Sequence, residues 1–238
     1  MLTIKLADIK IKIDNKYKFL EKQCEEYIID SEEYDLFIKV TDEEIAAEKE
    51  IAIKDFSDGY IESVCCYRKI CLEITKFDIF LMHAAVIKVG DYAYAFSAKS
   101  GTGKTTHTKL WKELLQDKMS YINGDKPLIR VIDGIPFAYG TPWNGKEGYG
   151  TNTKAELKAL CFIERDTNNS IYELPKKDVL NRIVHQILIP SDPLQISQTF
   201  MLLDKTVKHI NTYVLKCNME LDAARLSYET MSKNKNAK

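Results

Sequence analysis

None of the six cysteines (Cys24, Cys65, Cys66, Cys71, Cys161, Cys217) belongs to a CxxC pair completed by a second pair or by histidines, so the chain carries no zinc-type cysteine set. No stretch approaches the ~20 apolar residues of a membrane span, and the opening MLTIKLADIKIKID has charge every few residues in place of an apolar signal core. These absences predict a cytoplasmic protein with no membrane partner and with reduced, buried thiols. The adjacent Cys65 and Cys66 fall in an apolar helical pattern, which favours small core residues over a redox pair. Net charge is nearly absent as well. Lys and Arg total 34 against 35 Asp and Glu, and a net charge of -1 provides no field to gather nucleic acid. Any anion must therefore be gripped locally. No internal repeat, low-complexity tract or proline-rich linker breaks the 238 residues, which suit one main domain with a smaller appendage.

What is present reads as an α/β fold, a mixed β-sheet with helices. Leu2, Ile4, Leu6, Ile9, Ile11 and Ile13 alternate with polar residues and predict an N-terminal strand pair. Residues 37–40 follow as a strand, Thr41 and Glu44 as a capping box, and 55–59 as a polar turn. Tyr60, Val64, Tyr67, Cys71 and Ile74 then recur at helical spacing and predict one core-facing stripe. Continuous apolar runs predict central strands at 80–89, 92–98 and 157–164. Further strands are expected at 119–123, 128–132, 171–174 and 212–217, with helices at 106–115, 176–188, 193–203 and 220–231. The division is a small α+β region at 1–76, a main domain at 77–231 and a flexible tail at 232–238.

The chemistry concentrates in residues 97–106. AKSGTGKT matches the GxxxxGK[ST] phosphate loop at Gly103, Lys104 and Thr105, with Ala98 in place of the first glycine. A buried strand precedes it and an amphipathic helix follows, which is the context that pattern requires. Gly101 and Gly103 let the backbone fold around phosphate, and the helix start adds its positive dipole end. Ser100, Gly101, Thr102, Gly103, Lys104, Thr105 and Thr106 are the expected ATP-binding set. Lys104 would reach the β and γ phosphates, Thr105 would ligate Mg²⁺ and Thr106 would touch the α phosphate. The absence of an NKxD base-reading motif leaves ATP over GTP resting on frequency alone. A phosphotransferase also needs a carboxylate beyond a neighbouring strand, and Asp125 after MSYIN is the first candidate as metal ligand or base.

The stretch from His83 in LMHAAVI through SGTGKT, with Ser100, and on to Gly124-Asp125-Lys126 resembles the catalytic domain of HPr kinase/phosphorylase and the nucleotide core of ATP-dependent phosphoenolpyruvate carboxykinase. Among these it is most similar to HPr-kinase-like peptide serine kinases. The resemblance spans roughly residues 80–220 and includes GTPWNGKEGYG at 140–150. It implies a P-loop core of that type, Mg-ATP as cofactor, and His83 beside the transferred phosphate. Lys146 would supply positive charge to the transferring group, Trp143 would pack an acceptor side chain, and Asn152 would donate to phosphate or peptide. The family's paired acids are here reduced to Asp125 between Gly124 and Lys126, and the first 75 or so residues differ from a true HPr kinase.

The function expected from residues and resemblance together is Mg-ATP-dependent phosphorylation of a serine hydroxyl on a peptide or small protein. Asp125, His83 and Lys146 would be the catalytic residues, and Thr105 and Asp125 the metal ligands. The alternatives are a small-molecule kinase and a non-catalytic, ATP-dependent binding module. Homo-oligomerisation stays open at this point.

Overall fold

The computed structural model describes residues 1–233, so most of the predicted tail, from 234 on, lies outside the described residues. Strands β1 (Leu2–Leu6) and β2 (Ile9–Asp14) form the expected antiparallel hairpin, and β3 (Leu36–Lys39) adds parallel to β2. The alternation works as strand geometry requires, since Ile4, Leu6, Ile9, Ile11 and Ile13 are all buried. Helix α1 (Lys18–Gln23) and helix α2 (Asp42–Glu50) follow in chain order on either side of β3. Both bonds of the Thr41–Glu44 capping box are made at the start of α2.

Helix α3 (Asp58–Glu73) corrects the predicted single stripe. Tyr67, Cys71 and Ile74 are buried, but Tyr60 is 39% exposed and Val64 only partly covered. Ile61, Cys65, Cys66 and Ile70 are buried in their place. The cause is packing on more than one side, because α3 contacts α1, α2 and β3 while Tyr67 stacks on Trp143 from the loop at 140–150. The surrounding cluster also takes in Leu128 and Tyr139, so the N-terminal layer and the larger sheet share apolar contacts.

Among the described residues the larger sheet is mixed and nine-stranded. Its members are β4 (Ile79–Leu81), β5 (Ala85–Val89), β6 (Tyr92–Ser97), β7 (Met119–Asn123), β8 (Leu128–Ile132), β9 (Ile135–Tyr139), β10 (Lys154–Arg165), β11 (Ser170–Glu173) and β12 (Asn211–Cys217). The order is β4-β8-β9-β10-β6-β5-β7, with β12 parallel to the second half of β10 and β11 outside it. Predicted strands 92–98 and 157–164 are central as β6 and β10. Residues 80–89, however, are two strands rather than one, and β4 lies at an edge. The break at 82–84 arises because those N–H groups bond elsewhere: Met82 to Pro127 O (3.3 Å), His83 to Gln186 O (2.6 Å) and Ala84 to Asp125 O (3.1 Å).

Side chains of β6 and β10 alternate between two cores. Ala93, Ala95, Leu160 and Phe162 join one cluster with α5 (Lys176–Ile183) and α6 (Pro193–His209), through Val179, Leu202 and Leu203. Tyr94, Phe96, Cys161 and Ile163 join the other with α4 (Lys104–Leu115) and α7 (Leu221–Met231), through Trp111, Ala223 and Met231. Helices therefore cover both faces, which is why these strands are apolar throughout. Helix α5 stops at Ile183 in a tighter turn, short of the predicted 188. All six cysteines are buried and unpaired, and burial pushes the Cys24 and Cys71 thiols up to about 12. Among the described residues no helix is long and apolar enough to cross a membrane.

Candidate functional site

Strand β6 ends at Ser97 and the chain turns through the glycine loop into α4. Gly101 (φ 76°) and Gly103 (φ 127°) hold backbone conformations that strain an L side chain, and a Cβ at either would meet nothing within 4 Å. The loop thus borders open space. Helix α4 starts without a side-chain cap and without an acid in its first turn, so its leading N–H groups and dipole are available to an anion. A cavity of about 500 Å³ lies in front, lined from the loop by Ser100, Gly101, Gly103, Lys104, Thr105 and Thr106. His83, Asp125 and Lys146 line it from three other segments. Of the ten residues expected to be catalytic or to bind nucleotide or metal, only Thr102 stays off this cavity, while Trp143 and Asn152, expected to meet the acceptor or phosphate, also lie outside it.

Three charged or titratable groups meet at its floor. His83 Nε2 is 3.0 Å from Asp125 Oδ1 and 3.4 Å from Lys104 Nζ. One nitrogen cannot donate to a carboxylate and accept from an ammonium at once, so the shorter contact assigns the proton to Nε2, donated to Asp125. Lys104 Nζ then donates to Ala98 O at 3.2 Å. Burial lowers the Lys104 pKa, and the nearby Asp125 charge opposes that fall. For Asp125 burial works against ionisation, but the hydrogen bond and charge of His83, with Lys126 and Lys104, outweigh it and hold the carboxyl below the ordinary range. Its Oδ2 has no hydrogen-bond partner among the described residues.

The turn carrying Asp125 is built by Asn123, which is wholly buried. Asn123 Oδ1 accepts from the N–H groups of Asp125 (2.8 Å) and Lys126 (2.7 Å), while Nδ2 donates to Thr141 O and Oγ1. Gly124 donates to Tyr149 O at 2.7 Å, and a Cβ there would stand 2.9 Å from Asn144 O. The 140–150 loop therefore crosses directly over Gly124, leaving no room for a second acid at that position. Within the loop Lys146 is 89% exposed and lies 3.8 Å from Glu147. Trp143 is a pillar: it stacks on Tyr67 at 4.1 Å and donates to Ser63 Oγ at 2.9 Å. Asn152 points away from the cavity, bonding Glu26 O at 2.8 Å.

No protein-family model and no curated protein matches this chain. Among solved structures, the HPr(Ser) kinase/phosphatase of Coxiella burnetii is similar at 9% identity and a TM-score of 0.30, over 52% of this chain and 86% of that one. At that score the likeness stands apart from the functional case, which the site itself carries. Its donor set can be tested against a nucleotide and metal. Among the described residues no cluster of three or more His, Cys, Asp or Glu can hold a metal alone. Magnesium bound with a polyphosphate needs only one or two protein oxygens, and Thr105 and Asp125 line the same cavity. The residues thus fit a metal–nucleotide complex and do not fit a free-standing metal site.

Two supporting residues escaped the sequence reading. Asn123 is one; a buried Asn two residues before an Asp is a turn-building signal, but it sat at the end of an apparent strand. Arg165, at the end of β10, is the other. Its Nε donates to Thr102 O at 3.0 Å and its Nη2 to Gly101 O, which holds two loop carbonyls from a residue outside the cavity lining. No local pattern signals a residue more than 60 positions from the loop it braces.

Proposed function

We propose that this protein is a Mg-ATP-dependent phosphotransferase of the HPr-kinase-like type, acting on a hydroxyl, most simply a serine of a peptide or small protein. The observation that carries it is one cavity joining an uncapped helix start behind a two-glycine loop, Lys104, and an ionised Asp125 aligned by His83. When bound, Mg-ATP supplies the phosphoryl group and the metal charge. Loop N–H groups and Lys104 would hold the phosphates, and Thr105 together with Asp125, through Oδ1, would hold the metal. The acceptor's proton goes to Asp125 Oδ2, since Oδ1 is engaged by His83. His83 fixes the carboxylate's orientation by donating from Nε2. Lys146, exposed at the rim of the same cavity, would bring positive charge to the transferring oxygens.

Transfer of label from γ-labelled ATP to serine peptides, to small hydroxylated metabolites and to water tests the assignment. Asp125→Asn should still bind ATP but transfer about 10²- to 10⁴-fold more slowly, and Lys104→Ala should lose ATP binding. Unchanged transfer by Asp125→Asn removes Asp125 as the base. ATP binding without turnover in the parent protein supports instead a nucleotide-dependent binding module, the reading favoured by the single acid at this position.

A further inference from the structure

A second cavity, of about 650 Å³, adjoins the first and shares Asp125, Gly145 and Lys146 with it. Asp125 therefore faces two spaces, one bounded by the glycine loop and one bounded by the N-terminal layer. The walls of the second differ in kind. Phe56 stacks on Tyr60 at 4.7 Å, and Tyr60 meets Phe19 edge-on at 5.9 Å, forming a continuous aromatic surface. Phe19 is 41% and Tyr60 39% exposed, so this surface is left in water although its neighbours on α3 are buried. Trp143 and Pro142 lie across from it, and Gln23 ties the two walls together by donating to Pro142 O at 3.2 Å and accepting from Ser63.

Resting on the phosphotransfer function proposed above, we infer that this cavity is the acceptor site, and that it selects a peptide whose hydroxyl residue has a large apolar or aromatic neighbour. Three observations bear on it. Asp125 is common to both cavities, so a hydroxyl entering from the aromatic side meets the base while the phosphates lie on the other side. The volume falls within the range that holds a ligand of drug size, roughly 300–1,000 Å³, enough for a short side chain and one large neighbour. A polyhydroxylated metabolite would need closely spaced polar groups; here the aromatic wall offers instead an apolar surface that gains by being covered. The N-terminal region thereby has a role in specificity, set by residues that line the second cavity and not the first.

Calorimetry with acetylated, amidated pentapeptides carrying a central serine flanked by Phe, Leu, Ala or Glu tests this without relying on catalysis. The Phe-flanked peptide should bind about tenfold or more tighter than the Ala-flanked one, as burial of an aromatic side chain implies. Phe56→Ala and Tyr60→Ala should each erase that preference while the ATP Kd is kept. Val64→Trp, which fills the same cavity from α3, should block all four peptides and guards against a Tyr60 variant that folds poorly. Equal affinity across the four peptides, no binding of any, or a preference that survives Phe56→Ala overturns the assignment. N-acetylphenylalaninamide binding as tightly as the peptide also overturns it, in favour of a small aromatic acceptor. Failure of the phosphotransfer function itself would show separately, as absence of ATP binding or of transfer to any acceptor.

Discussion

Lowering the pH from 7 to 5 should destabilise this protein through one buried imidazole. His107 lies on α4, one turn after Lys104, and is 2% exposed. Its Nε2 is 3.0 Å from Ser227 Oγ, and Trp111 Nε1 donates to that same oxygen at 2.8 Å. Trp111 Nε1 also lies 3.2 Å from His107 Nε2, but its single N–H goes to the nearer Ser227 Oγ; since the Ser227 hydroxyl in turn donates to Ala224 O, it accepts from His107, which places the proton on Nε2 and leaves Nδ1 buried without a partner. A second proton on Nδ1 would be a buried charge facing no acceptor, and burial accordingly lowers the pKa from 6.5 to about 4. The folded value lies below the unfolded one, so between these two pH values the unfolded chain holds more protons. Stability is thus fully present above about pH 6.5 and is lost as the pH falls toward 4. The whole interval amounts to about 3 kcal/mol, of which about 2 kcal/mol is lost between pH 7 and 5. Urea unfolding at pH 7, 6 and 5 should therefore show a steep decline in the parent protein and a decline about 2 kcal/mol smaller in His107→Gln. The carboxylates with lowered pKa values, among them Asp8, Glu48 and Asp125, lose their contributions only at lower pH, so they do not cover the effect. Equal slopes in the two proteins would refute the reasoning.

Other substitutions separate bracing from binding. Arg165→Ala frees the carbonyls of Gly101 and Thr102 and should raise the KM for ATP about tenfold, while the urea midpoint hardly moves because the residue is exposed; an unchanged KM would reduce the contact to a surface bond. Gly140→Ala should destabilise by about 2 kcal/mol or more, seen as a lower Tm, because its Cβ would fall 1.9 Å from Thr151 O. Ring stacking of Tyr121 on Tyr149 anchors the far end of that loop, so Tyr149→Ala should loosen the loop, visible as faster proteolysis between 140 and 150 with the core intact.

Features set by a few adjacent residues were legible in the sequence because their physics is local. The Thr41–Glu44 box closes as written. The two glycines before Lys104 likewise declare a backbone conformation, whatever surrounds them. Tyr60 failed for the opposite reason: helical spacing states which residues share a face and is silent on what faces it, and here the face opens on a cavity. The run at 80–89 failed more instructively. Apolar composition predicts a continuous strand, yet the N–H groups of Met82, His83 and Ala84 leave the ladder to bond Pro127, Gln186 and Asp125. Had the strand run on unbroken, those N–H groups would have been used by a neighbouring strand and His83 would sit in the pleat of the sheet. The interruption instead ties the backbone at 82–84 to the Asp125 turn and sets Nε2 3.0 Å from the carboxylate. Local preference gives way at the residues that align the candidate base, which is where a functional demand is expected to override it.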